Sequence, residues 1–453
     1  MQIKCPYNNI PEREYAIRML FDNLLGVDLA GTDICFDDSV HDYHISVGEK
    51  QIIVQDHFFQ RFPEPLSYIN KANIPDEVRY FHALGMTIPM VYGVDEYYET
   101  EHCITIGLDI FASTFFMLTR WEESLLGRDE KGDCPESQLF AVRNTIHRRP
   151  LVHEYEQLLR KLLEDCGISF QERQYKVILA HDVDGILTPT YVEIVRTFFD
   201  HKKNGLPQNT VRDLTWKSKY HYKKAFPTAY SQFQFYTMLA KKYGIPEWFY
   251  FKVCASGEKE ATYCYNDCKV QQVVSRLYGQ HDPNIVLGFH PSQSTINNES
   301  QWDAESQRIV SLLGTTPTVG RNHHLLYNLP MLRLWERSFS SPSEPFHISN
   351  CLFHDRHGFR TGTSVPFPLF DYYQRRQMNL IEHPNQIMDT VIRFNYDKCA
   401  EEERWMSEDG IIDSVRENKG ELVLTWHIYI RLKNLIEKEY DWCERVLEYA
   451  MKK

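Results

Sequence analysis

The sequence predicts an α/β protein: a smaller α+β domain over residues 1–170, then, over 171–453, βα units around a largely parallel sheet or barrel. Three observations carry this. From Tyr175 onward, short β-rich runs alternate with helical segments, the pattern of parallel strands joined by crossover helices. Several of those runs end in His or Asp, at the place where α/β sheets and barrels gather their reactive groups. The first third shows no such alternation, and the charged segment Gln171-Glu-Arg-Gln174 reads as the junction.

Taken in order, the stretch from Asp109 to Glu123 (DIFASTFFMLTRWEE) predicts a strongly apolar helix, capped by Asp109 and closed by an acidic pair. A polar loop over 127–143 follows. Residues 151–166 (LVHEYEQLLRKLLEDC) carry apolar side chains at helical spacing and stop at Gly167. Beyond the junction, strands are expected at 176–180, 248–253, 284–289 and 421–426, with a weaker one at 316–319. Helices fit between them at 191–202, 230–243 before Gly244, 268–278, and 302–313 before Gly314. The basic, polar segment 204–224 reads as an insertion or lid.

The chain has 453 residues, 43% hydrophobic and 25% charged, which excludes collagen-like, disordered and coiled-coil classes. A net charge of −12 repels phosphate backbones, so neither nucleic acid nor an anionic membrane is an expected partner. The first ten residues lack the apolar middle of a secretory signal, and the most apolar stretch, 108–118, is too short to span a bilayer; a cytoplasmic location is expected. The 11 cysteines are scattered singly, as suits reduced thiols; the one close pair, Cys264 and Cys268, is expected on one helix face. Aromatic residues make up 13% of the chain. Core packing explains most of them, and Trp335, Phe359, Phe367 and Trp426, near the motifs below, are candidates for a sugar-stacking surface.

The chemistry gathers at strand ends. Val177-Ile-Leu-Ala180 runs into His181-Asp182-Val183-Asp184-Gly185, Ile285-Val-Leu-Gly-Phe289 into His290-Pro291-Ser292, and Leu422-Val-Leu-Thr-Trp426 into His427; Arg321-Asn322-His323-His324 follows the weak strand. Any one of these could be a turn; their joint occurrence is harder to explain that way. Two carboxylates one residue apart at a strand end require a neutralising cation or a shared proton, and a divalent metal supplies the first. Asp with His290 suits Zn²⁺ or a similar first-row ion, leaving a position for water. The other Asp can take that water's proton, His427 can protonate a leaving nitrogen, and Arg321 can hold the basic Asp by a charge-assisted hydrogen bond. Alternation along the strand turns His181 the opposite way, into a structural role.

The ordered set Asp-x-Asp, His-Pro-Ser, Arg with nearby His, and Trp-His resembles the polysaccharide deacetylases of the NodB-homology group, carbohydrate esterase family four. Arg120-Trp-Glu-Glu123, Gly358-Phe-Arg-Thr-Gly-Thr363 and Pro366-Phe-Pro-Leu-Phe-Asp371 resemble the deacetylase-like subgroup with its own N-terminal domain. The resemblance implies a distorted (β/α) barrel of the NodB-homology type and metal-dependent removal of N-acetyl groups from an amino sugar in a polysaccharide or its precursor. It implies Asp182 as base, Asp184 and His290 as metal ligands, Arg321 as the residue orienting the base, and His427 as acid. The family's second metal His falls here on Ser294, so His323 or His324 is the expected replacement, with His323 preferred.

Two other readings stand beside this one: an inactive barrel that binds glycan or a biosynthetic partner, and a metal-free hydrolase of a related C–N bond. His354, Asp355 and Arg360 lie near the Gly-Phe-Arg loop, where cleft lining and a surface turn are both open. Glu122 and Glu123 are expected to tie the helix end to a basic neighbour. The N-terminal third shows no constellation of its own; positioning a substrate or a partner enzyme is its expected role. Walker, dinucleotide-binding, serine-elbow and zincin motifs are absent.

Overall fold

The computed structural model describes residues 1–27, 29, 33–128, 132, 134–186, 230–258, 260–396, 410–429 and 433–452. Within it the chain forms two compact units, Met1–Lys176 with His324–Val423, and Val177–His323 with Leu424–Lys453. Both mix helices and strands.

In the second unit, strands Lys176–Val183, Glu247–Phe251, Ile285–Phe289 and Val319–Gly320 lie side by side, all parallel. Against the free edge of the first of these runs the end of strand Glu421–Thr425, where Trp426 N donates to Ala180 O at 2.8 Å and Ile428 N to Asp182 O at 2.9 Å. The runs are apolar without alternation because parallel strands are buried on both faces; all five residues of Glu247–Phe251 are buried. The expected strand at 316–319 shrinks to Val319–Gly320, since Pro317 has no N–H to give a ladder. Gly288 permits the close approach here: a Cβ would lie 2.5 Å from Val319 O.

Helices Ser231–Tyr243, Cys268–Tyr278 and Glu299–Leu313 fall where their periodicity predicts, and Gly244 and Gly314 close the first and last with φ of +64° and +71°. Asn298 caps the last helix through Gln301 N, so it starts at Glu299 rather than at Trp302. Asp267 caps the middle helix, which leaves Cys264 ahead of it; Cys264 and Cys268 do not share a helix face. The helix expected at 191–202 and the segment 204–224 lie outside the described residues.

The first unit holds a six-stranded sheet in the order Asp33–Asp37, Gln2–Pro6, Tyr43–Val47, Lys50–Val54, Cys103–Leu108, Gly93–Glu99. These strands mix parallel and antiparallel pairs and are short, with exposed positions interleaved, so no long apolar run announces them. Helix Ile110–Thr119 begins as expected, with Asp109 accepting from Ala112 N at 3.0 Å. Helix Leu151–Glu164 likewise ends ahead of Gly167. The expected polar loop at 127–143 instead closes in a short helix, Phe140–Arg143, whose first three side chains are buried.

Arg120 grips Glu123 with two hydrogen bonds of 2.7 and 2.8 Å, and Arg360 Nε reaches the same carboxylate at 3.0 Å. Burial would raise the Glu123 carboxyl, but these two guanidinium groups hold it down at about 2. Arg360 also donates to Glu136 at 2.7 Å, and His354 pairs with Glu136 as well, so both belong to the first unit's internal ion pairing. The proposed stacking rings are core: Trp335, Trp426 and Phe367 are 0% exposed and Phe359 is 1% exposed. Rings without accessible faces cannot stack on a sugar. Among the described residues no helix is long and apolar enough to cross a membrane, and the described cysteines are free thiols.

Candidate metal and acid–base site

The parallel strands of the second unit deliver their exits to one place. Lys176–Val183 runs farther than its apolar stretch suggests, so Asp182 is still in the strand and Asp184 is the first residue beyond it. Asp184 N and Gly185 N both bond to Ile428 O, at 3.1 and 3.0 Å, which anchors this exit to the chain just after His427. Tyr263, buried, stitches two exits together: its hydroxyl donates to Val183 O at 2.9 Å and accepts from Lys252 N at 2.8 Å.

Asp184, His290 and His323 converge, with one ligand atom from each lying within 4.8 Å of the others. Asp184 Oδ1 is 3.8 Å from His290 Nε2 and 4.0 Å from His323 Nε2. Both imidazoles are held from behind. His290 Nδ1 bonds to Arg321 O at 2.7 Å, and His323 Nδ1 to Glu260 Oε2 at 2.6 Å. A ring whose Nδ1–H is used this way presents the Nε2 lone pair forward, the second-shell arrangement that orients metal-bound histidines. His290 Nε2 is buried and has no hydrogen-bond partner among the described residues, a cost that a ligand atom repays on binding a cation. Burial, helped by the neighbouring His323, holds the His290 imidazole well below its usual range and so neutral.

This donor set fits Zn²⁺ or a similar ion. Zinc bonds of about 2.0–2.2 Å would need ligand separations of roughly 3.3 Å, so the Asp184–His290 and Asp184–His323 gaps of 3.8 and 4.0 Å would have to close by roughly half an ångström or a little more. The position expected for a family His, Ser294, is exposed and bonded to Ser292 Oγ at 2.6 Å. His323, not Ser294, stands with Asp184 and His290. His324 does not join the cluster; its backbone is left-handed, with φ +55°, and its carbonyl accepts from His354.

Asp182 lies on the same floor. Arg321 Nη1 donates to Asp182 Oδ1 at 3.0 Å, while Asp182 Oδ2 is 3.9 Å from His290 Nε2 and 3.7 Å from His427 Nε2. The His427 ring stacks on Tyr429, with centroids 5.0 Å apart and planes at 8°. Asp182, Asp184, His290, Arg321, His323 and His427 thus stand together within one unit. His181 turns away, bonding to Trp426 O at 2.8 Å and stacking on Phe249.

Three residues of this site escaped the sequence reading. Glu260 and Thr425 carry no motif, although Thr425 immediately precedes the Trp-His pair. Lys252 ends the apolar run Trp248-Phe-Tyr-Phe251, so a charged residue at a buried strand exit was the available signal. Its Nζ lies 2.8 Å from Asp184 Oδ1 and 3.0 Å from His323 Nε2. Burial works to raise the Asp184 carboxyl; the Lys252 ammonium, then His427, His290 and His323, bring it below the usual range.

Residues 1–167 match the model of a family of unknown function, DUF7033. No curated protein matches the chain. Two crystal structures are similar in part. One is a candidate polysaccharide deacetylase involved in O-antigen biosynthesis from Bordetella bronchiseptica, 10% identical, covering 56% of this chain and 72% of that one with a TM-score of 0.28. The other is a candidate polysaccharide deacetylase from Mycobacterium smegmatis, 11% identical, covering 61% of this chain and 85% of that one with a TM-score of 0.33. Likeness of this degree leaves the chemistry to be argued from the chain's own residues.

Proposed function

We propose that this protein is a metal-dependent carbohydrate N-deacetylase of the NodB-homology type, built on a distorted (β/α) barrel and acting in the cytoplasm on an amino sugar of a polysaccharide or its precursor. The observation that carries the reading is the convergence of Asp184 Oδ1, His290 Nε2 and His323 Nε2 beside a second, separately held carboxylate, Asp182. Asp184, His290 and His323 would hold Zn²⁺ or another first-row divalent ion, which when bound polarises the acyl carbonyl and acidifies water.

The chain's own groups then divide the proton work. Asp182, fixed by Arg321 through Oδ1, keeps Oδ2 free to take a proton from the attacking water. The hydroxyl adds to the acyl carbon, the C–N bond breaks, and His427 Nε2 gives a proton to the departing amine, so acetate and the free amino sugar leave. Burial of Asp182 and Arg321 strengthens their mutual orientation by excluding competing water.

The experiment is acetate release from N-acetylated amino-sugar oligosaccharides by zinc-loaded protein. Release that Asp182→Asn abolishes without loss of bound zinc supports the reading. A folded, zinc-loaded protein that releases no acetate across glucosamine, galactosamine and mannosamine series sinks it. One observation favours the second reading, an inactive barrel binding glycan or a partner: each carboxylate already faces a cation of the chain, Asp182 with Arg321 and Asp184 with Lys252. Glycan binding without turnover in the same assay is its signature.

A further inference from the structure

We propose that Lys252 is the resident cation of this site and that a divalent ion binds only by displacing its ammonium. The inference rests on reading Asp184, His290 and His323 as the metal ligands.

The geometry is specific. Lys252 is 4% exposed, and its backbone is fixed beside the Asp184 exit by the Tyr263 hydroxyl. Its Nζ forms an ion pair with one of the three ligand atoms, Asp184 Oδ1 at 2.8 Å, and a hydrogen bond to a second, His323 Nε2 at 3.0 Å. An ammonium group has three donors pointing outward from one centre, so it meets converging lone pairs much as a small cation does, at longer range. The acceptor side is consistent: His323 Nδ1 bonds to Glu260, leaving Nε2 to accept from Lys252.

Metal and ammonium exclude each other here. Both would use the same lone pairs, and like charges about 3 Å apart in a buried place repel strongly. An entering ion must break a buried ion pair before it gains its own bonds. The displacement costs every divalent ion alike, so Lys252 lowers all their affinities and leaves bound only an ion with strong intrinsic affinity for this set, such as Zn²⁺ rather than Mg²⁺.

The test is titration calorimetry of the full chain with Zn²⁺ and with Mg²⁺ at one fixed pH, comparing wild type with Lys252→Met, Lys252→Gln and Lys252→Arg. Each is paired with Asp184→Asn, and thermal melts establish folding. Zinc is expected to bind Lys252→Met and Lys252→Gln at least ten-fold more tightly than wild type, with no gain for Lys252→Arg. Asp184→Asn should remove the binding in every background. Equal or weaker zinc binding in both neutral variants, still dependent on Asp184, overturns the role of Lys252 and leaves the ligand set standing. No Asp184-dependent zinc binding in any form overturns both. The two neutral replacements differ in shape and polarity, so a folding defect in one leaves the other to decide.

Discussion

Arg321 and Asp182 form a buried ion pair, 3.0 Å from Nη1 to Oδ1, and the same nitrogen donates to Thr425 Oγ1 at 2.7 Å. The guanidinium is 4.7 Å from the Tyr250 ring centroid, and Arg321 N bonds to Phe289 O at 2.9 Å, so both ends of the residue are fixed. Asp182 is thereby locked with Oδ2 toward His290 and His427.

A planar, delocalised cation held this way has no substitute in lysine. Arg321→Lys is expected to retain zinc stoichiometry while lowering the acetate-release kcat by roughly 100-fold, the scale of a misplaced reacting group. Arg321→Met, which strands a buried carboxylate, is expected to lose about 3 kcal/mol of stability in urea unfolding. A lysine variant with the wild-type rate would remove Arg321 from the positioning role.

Glu260 stands behind His323 as Arg321 O stands behind His290, but only Glu260 can be changed without touching the backbone. Outer-shell partners of this kind are worth 10–100-fold in metal affinity. Glu260→Gln is therefore expected to weaken Zn²⁺ binding by about 10-fold or more with little change in melting temperature. Unchanged affinity would mean that His323 is not a ligand.

Glu382 offers a pH test inside the first unit. Burial pushes its carboxyl up to about 7 against an ordinary value of 4.5, and the bonds from Asn350 N and the Arg120 charge offset this only in part. Between those values the folded state binds more protons than the unfolded chain. The stabilisation is therefore complete below 4.5 and is lost as pH rises through about 7. His347, held at about 4 by burial and the nearby His383, acts in the opposite sense at acid pH, and the buried Asp109 and Glu122 carboxyls are also raised to about 7, so the whole-protein curve blends several groups. The difference between Glu382→Gln and wild type isolates the carboxyl: the variant's relative stability should climb from pH 5 to pH 8, by more than 1 kcal/mol. A flat difference in urea midpoints over that range would contradict it.

Much of this was legible in the sequence for a physical reason. Apolar runs of parallel strands are buried on both faces, so the strand at Lys176–Val183 and those beginning at Glu247, Ile285 and Glu421 announce themselves, and their exits carry the chemistry the sheet presents. Asp182, Asp184, His290, Arg321, His323 and His427 all stand at or just beyond such exits in the sequence. The short strands of the first unit, which are only partly buried, gave no comparable signal.

What required the tertiary structure was pairing across strands. Sequence order says nothing of which cation meets which carboxylate, because a side chain's partner depends on register between segments as distant as Asp182 and Arg321, or Lys252 and Asp184. The proximity of Asp182 and Asp184 argued for a metal to neutralise them; the fold gathers Asp184, His290 and His323 and also brings a guanidinium to Asp182 and an ammonium to Asp184. It places His323 beside Asp184 and His290, and puts Trp335 and Trp426, candidates for a sugar platform, in the core. The residue types were set by the sequence, and their charge balance was decided only when separate strand ends met.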